Sequence, residues 1–346
     1  MKKFTASDTN VSKYELLPTP NDIRKLSPGT ERTLSLIEKS RQELCNIIDE
    51  KDSRILLVVG PCSIHDTEAG LDYAKRLLSL SEKVQDKFLI LMRVYFTKPR
   101  TTTGWKGLIN DPFLNDSFEI KEGLKKARSF LHQVVNLGVP AATEALDAIT
   151  PQYIDDLLTW NAIGARTAES QTHREMASGL STPVGFKNGT DGNVITAVNA
   201  MKAAREPHHF LGIDSDGRCA VLETTGNSYT HLVLRGGTNP NYDSESIASA
   251  SNILKTEGLY SKVLVDCSHG NSFKNHRIQE HVFLDCIDQI IKGKSPIMGL
   301  MLESNIHEGK QEVSKDMQYG VSITDACISW ETTERIIMEA HSRLSS

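Results

Sequence analysis

Apolar residues along this chain follow two rhythms. Short, nearly unbroken apolar runs recur near 55–61, 88–95, 140–145, 161–166, 183–187, 230–235, 262–267 and 296–302. Between them lie longer stretches, such as 66–83, 119–137 and 331–344, with helical spacing of apolar positions. Unbroken runs suit strands covered on both faces, and the 3.6-residue rhythm suits amphipathic helices. Eight such strands alternating with helices predict an α/β fold, a (β/α)8 TIM barrel.

Three segments stand outside the alternation. Residues 1–29 are polar, with prolines at 18, 20 and 28, and read as an extended arm that its own chain does not order. Residues 30–50 carry apolar residues at Leu34, Ile37, Leu44, Ile47 and Ile48, which predicts an amphipathic helix starting near Thr30. Residues 207–229 hold two short apolar runs around Asp214-Ser215-Asp216-Gly217, the pattern of a β-hairpin inserted before the sixth strand. The expected division is an arm and helix over 1–54, serving regulation and assembly, and a catalytic barrel over 55–346 carrying the hairpin.

The chemistry sits where the apolar runs stop. The runs 55-ILLVVGPCS-63, 262-KVLVDCSHG-270, 295-SPIMGLMLES-304 and 319-YGVSITDAC-327 end in or beside Cys62, His269, Glu303 and Asp325. A thiol, an imidazole and two carboxylates make a ligand set for one divalent transition metal. The same rim carries cations: Arg93, Arg166, Lys187 and Arg235 each follow or end a run. Lys and Arg total 39 of 346 residues, so a basic residue at nearly every strand end exceeds chance. The string 97-TKPRTTTGWKG-107 adds cations and hydroxyls on a loop, suited to a phosphate and a polyol. Glu144 ends the third run, where it would orient a water or the neighbouring cations, or make an ordinary salt bridge.

Composition narrows the setting. A net charge of −5 argues against a general nucleic-acid surface. Six cysteines without close pairing, no apolar core near the N-terminus and no run of about twenty apolar residues point to a reducing cytoplasm without membrane insertion.

The strings GPCSIHD, RVYFTKPRTTTGWKGLINDP, GARTAESQ, GFKNGTDG, LRGG, DCSHGNS, LMLESN and YGVSITDACISW, in this order, closely resemble type I 3-deoxy-D-arabino-heptulosonate 7-phosphate (DAHP) synthase. The resemblance spans essentially the whole chain, arm and hairpin included. It implies condensation of phosphoenolpyruvate (PEP) with erythrose 4-phosphate, release of phosphate, and one divalent metal on Cys62, His269, Glu303 and Asp325. It places PEP on Arg93, Lys98, Glu144, Ala165, Arg166, Lys187 and Arg235, and the sugar phosphate on Lys98, Pro99, Arg100, Thr101 and Asp325. Lys98 is the expected proton donor to the new alkoxide. The related synthase that takes arabinose 5-phosphate fits less well, because its sugar-binding string differs from KPRTTTGW and it lacks the arm and hairpin. A non-catalytic sensor on the same fold is disfavoured by the complete set of ligands and cations.

The resemblance also implies a homodimer or homotetramer and an aromatic amino-acid effector. The effector residues would be Asp8, Asp147, Pro151, Gln152, Met176, Leu180, Ser181, Phe210, Gly212 and Leu222. Phenylalanine-sensitive members tend to have serine where this chain has Gly212, and glycine there would leave room for a hydroxyl, which favours tyrosine over phenylalanine.

Overall fold

The computed structural model describes residues 7–100, 104–293 and 295–345. Two helices, α1 (Pro20–Leu26) and α2 (Glu31–Ile48), precede the first strand. The alternation then runs β1 (Ile55–Gly60), α3 (Thr67–Val84), β2 (Phe88–Arg93), α4 (Ile120–Leu137), β3 (Ala141–Glu144), α5 (Pro151–Ile154), β4 (Trp160–Ile163), α6 (Gln171–Gly179), β5 (Val184–Lys187) and α7 (Ile195–Arg205). An antiparallel pair, β6 (His209–Ile213) and β7 (Cys219–Glu223), interrupts it. It resumes with β8 (Thr230–Leu234), α8 (Ser244–Thr256), β9 (Val263–Asp266), α9 (Ile278–Ile291), β10 (Ile297–Glu303) and α10 (Trp330–Leu344). Eight parallel strands close in the order β1-β10-β9-β8-β5-β4-β3-β2, the expected barrel. No helix among the described residues is long and apolar enough to cross a membrane.

The strands are apolar on both faces because each face meets a different core. Leu57 and Val59 of β1 pack outward with α3 residues such as Tyr73 and Leu77. Leu56 and Val58 point into the barrel with Leu89, Leu91, Trp160, Val233 and Leu264. That alternation of neighbours, without alternation of polarity, is why the runs read as continuous. The barrel interior also holds one polar pair, the Trp160 indole donating to Nε2 of fully buried His231 at 2.9 Å.

Helix α2 starts where Thr30 accepts from the Thr33 backbone N–H and Thr33 returns the bond, a reciprocal cap. Its Leu44, Ile47 and Ile48 join the interior cluster and close the end of the barrel away from the strand C-termini. Each buried side chain contributes about 1.5–3 kcal/mol.

The arm departs from the expectation of an extended, unordered segment. Pro20–Leu26 is helical, because Thr19 and Asp22 cap each other and proline occupies the first helical position. Ile23 is buried, Arg128 donates to the Ser27 carbonyl at 3.1 Å, and the Tyr153 hydroxyl donates to the Pro18 carbonyl at 2.8 Å. One buried isoleucine and two bonds from the barrel helices order this part on its own chain. Residues 7–17 remain without helix or strand, with Leu16 and Tyr14 exposed.

Candidate active-site cavity

Parallel registry assembles the acidic side of the site. Gly60 of β1 pairs with Glu303 of β10, so the chain leaving β1 delivers Cys62 beside that carboxylate. The ligand atoms of Cys62, Glu303 and Asp325 all lie within 4.8 Å of one another. His269 stands outside this tight group but adjoins it, its Nε2 3.9 Å from Glu303 Oε1. Asp266, fully buried, sits 3.0 Å from Nδ1 of the same ring. Burial pushes the Asp266 carboxyl up, but Lys187 at 3.0 Å and His269 outweigh it and hold it well below the usual range. An ionised carboxylate can only accept, so Asp266 fixes the ring through Nδ1–H and turns Nε2 toward Glu303. Gln279 fixes Glu303 from behind, accepting from its N–H at 2.8 Å and donating to its carbonyl at 3.1 Å.

Thiol, imidazole and two carboxylates, with no competing disulfide, suit a divalent transition ion. Cys62 is fully buried, and burial, reinforced by Glu303, pushes its thiol up to about 11. Lys98 donates to both its Sγ and its carbonyl at 3.1 Å. Burial also works to raise the Asp325 carboxyl, but Lys98 and His269 overcome it and hold it low.

Beside this group opens a cavity of about 500 Å3. Lys98, Pro99, Arg100, Glu144, Ala165, Arg166, Lys187, Arg235, His269, Glu303 and Asp325 all line it. Cys62 and Arg93 lie buried behind its wall. Thr101 falls outside the described residues. Arg166 does not end its strand as the sequence suggested; β4 stops at Ile163, and a turn bonded from Thr167 N–H to the Gly164 carbonyl carries the arginine into the cavity. Burial lowers the affinity of Arg235 for its proton, and Asp266 opposes that loss. Among the described residues neither Arg166 nor Arg235 makes an ion pair. Arg93 pairs with Glu303 at 3.0 Å and Lys187 with Asp266 at 3.0 Å.

Three loops lock together around these cations. The Gly270 N–H donates to the Arg235 carbonyl at 3.0 Å, and buried Asn188 accepts from the Arg235 N–H at 2.8 Å. A Cβ on Gly237 would stand 2.2 Å from the Gly192 nitrogen, and one on Gly270 would stand 2.7 Å from the Gly236 carbonyl carbon. The β5, β8 and β9 loops therefore touch backbone to backbone, which only glycine permits.

Sequence reading missed Asp266, Gln279 and Lys274. Asp266 and Gln279 act through other residues, so no metal or phosphate pattern announces them. Lys274 lines the cavity from a left-handed backbone (φ 60°) that no lysine signals in advance.

The effector residues divide. Pro151, Gln152, Leu180 and Ser181 line a second cavity of about 340 Å3 with Arg24 and Ile37. Phe210 and Leu222 are opposite each other across the hairpin, and Met176 is buried. A Cβ on Gly212 would stand 2.6 Å from a Leu222 methyl, so leucine fills space expected to be open there. The Asp147 carboxylate caps the turn before α5, accepting from Ile149 and Thr150. Asp8 accepts from the Tyr14 hydroxyl within the arm.

The sequence model of the DAHP synthetase I family matches residues 30–338. The chain belongs to the DAHP synthetase I family. Members are metal-dependent transferases of aromatic biosynthesis, and this chain is an enzyme of that class. It is similar to the Tyr-sensitive phospho-2-dehydro-3-deoxyheptonate aldolase of Salmonella typhimurium, 51% identical over 348 residues that cover 100% of this chain and 98% of the relative. The Phe-sensitive enzyme of Escherichia coli is 49% identical over 327 residues, covering 94% and 93%. Among solved structures, the phospho-2-dehydro-3-deoxyheptonate aldolase of Francisella tularensis superposes with a TM-score of 0.95 at 45% identity, covering 97% of this chain and 99% of that one.

Proposed function

We propose that the rim cavity binds PEP and erythrose 4-phosphate and joins them to DAHP with release of phosphate. The observation that carries this reading is one cavity lined by His269, Glu303 and Asp325, with the Cys62 thiol behind them, and by two arginines that make no ion pair among the described residues. Arg166 and Arg235 would fork onto the PEP phosphate, since planar guanidinium matches that geometry. Arg93, Lys98 and Lys187 would hold the carboxylate, with Glu144 and the Ala165 backbone beside them. Lys98, Pro99, Arg100 and Thr101 would take the sugar phosphate, with Asp325 touching a hydroxyl. Fixing both substrates removes much of the entropic barrier to carbon–carbon bond formation.

Cys62, His269, Glu303 and Asp325 would hold the metal, which when bound supplies Lewis-acid polarisation of the aldehyde. C3 of PEP bonds to the aldehyde carbon, and Lys98 gives a proton to the resulting alkoxide. Burial alone would lower Lys98, but Cys62, Glu303 and Glu144 keep it cationic, so it remains a donor. Water then adds at C2, and the C–O bond to phosphate breaks. Product formation from PEP plus erythrose 4-phosphate, absent with arabinose 5-phosphate and abolished by EDTA, tests the reading; equal turnover of both sugars would overturn it.

Regulation and assembly extend the proposal. Residues 1–54 would serve regulation and assembly, and residues 55–346 would form the catalytic barrel, with the regulatory hairpin inserted at about 207–229. Tyrosine is the favoured effector, supported by the names of relatives and not by space beside Gly212, with phenylalanine the alternative. Tyrosine should inhibit through a coupling of about 1–3 kcal/mol, and deletion of residues 1–29 should release inhibition while sparing catalysis. Phenylalanine inhibiting alone would refute the tyrosine assignment, and undiminished tyrosine inhibition of the truncated enzyme would remove the arm from the mechanism.

A second copy would cover the outer hairpin face and the arm, where Leu211, Val221, Leu16 and Tyr14 are exposed. Light scattering at micromolar concentration should therefore give a dimer or tetramer; a monomer would contradict it. The reducing cytoplasm is the proposed location.

A further inference from the structure

Arg93 ends β2, and Tyr95 lies two residues beyond. In an extended chain residues two apart face the same side, and here the Arg93 guanidinium lies 4.0 Å over the Tyr95 ring. Lys98 stands 5.7 Å from the same ring. Tyr95 is thus packed between two cations that reach the site, one bonded to Glu303 and the other to Cys62.

Both Arg93 and Tyr95 are almost completely buried, at 0% and 1% exposure. Yet Arg93 Nη1 and the Tyr95 hydroxyl have no hydrogen-bond partner among the described residues. Buried donors are nearly always paired, and leaving one unpaired costs about as much as losing a hydrogen bond. Two such donors on stacked side chains share a requirement for an acceptor. Burial pushes the phenol well above its ordinary range, with Arg93 opposing, so it remains an O–H donor at neutral pH.

We propose that Tyr95 is a substrate-binding residue, whose hydroxyl together with Arg93 Nη1 receives the carboxylate of PEP. A carboxylate is planar and carries two acceptor oxygens, enough for one guanidinium N–H and one phenol O–H. The phosphate of the same molecule is held elsewhere, by Arg166 and Arg235. This inference rests on the proposed reaction and adds to it a residue that neither the metal set nor the cation set contains.

Tyr95→Phe keeps the ring under both cations and removes only the hydroxyl. Its KM for PEP should rise about tenfold, the effect of one hydrogen bond to a charged group, with the KM for erythrose 4-phosphate unchanged. Inorganic phosphate, which has no carboxylate, should protect both proteins equally against thermal unfolding, whereas protection by PEP should shrink in the variant. The ligand-free variant should melt no lower than the parent, because an unpaired buried hydroxyl has been removed. A fall in kcat at unchanged KM for PEP, or equal protection by PEP, overturns the assignment. A parent enzyme inactive with PEP and erythrose 4-phosphate defeats the proposed reaction instead, and PEP protection still decides the Tyr95 contact.

Discussion

Cys62→Ala should abolish metal-dependent turnover and leave the barrel folded. The thiol is the softest donor in its group, and its ligand atom lies within 4.8 Å of those of Glu303 and Asp325. Losing a ligand of a catalytic metal costs several kcal/mol, about a thousandfold in rate. The fold survives because the change removes one sulfur atom, and Lys98 keeps its bond to the residue 62 carbonyl. Circular dichroism should be unchanged while activity stays lost across added Mn, Fe, Co and Zn. A pH test accompanies this one. Burial holds the thiol at about 11, so near neutrality metal must displace its proton. Apparent metal affinity should therefore rise with pH, about tenfold per unit below that value, and the variant should lose this slope. Near-normal turnover after stripping with EDTA would show that Cys62 is no ligand.

Arg166→Ala and Arg235→Ala should each lower kcat/KM for PEP by about 2–5 kcal/mol, the cost of removing one partner of a desolvated charged contact. Among the described residues neither arginine has an ion-pair partner to redistribute onto, so the loss should fall on the substrate. Lysine at either position should recover only part of the rate, because a point charge cannot form the bidentate fork. Steady-state kinetics with PEP varied decides it, and wild-type constants in both alanine variants would move the phosphate pocket elsewhere.

The barrel was readable in the sequence because parallel strands buried on both faces leave continuous runs, and candidate ligands such as Glu303 sit where those runs meet polar residues. The arm was misread in part. A reciprocal cap between Thr19 and Asp22 organises seven residues that composition alone marks as disordered. The residues that position others stayed hidden for a different reason. Asp266 orients His269 three residues on, Gln279 of α9 holds Glu303 of β10, and Trp160 of β4 bonds His231 of β8. Only folding of the barrel brings the last two pairs together, and no residue pattern marks the first.

The glycine contacts joining the β5, β8 and β9 loops bear on engineering. A chimera that imports one of these loops from a relative, with any side chain where Gly237 or Gly270 now stands, would push the other two loops apart and displace Arg235 with them. Donor segments for altered sugar specificity are therefore best moved as a set of three, or confined to the β2 loop on the opposite side of the rim.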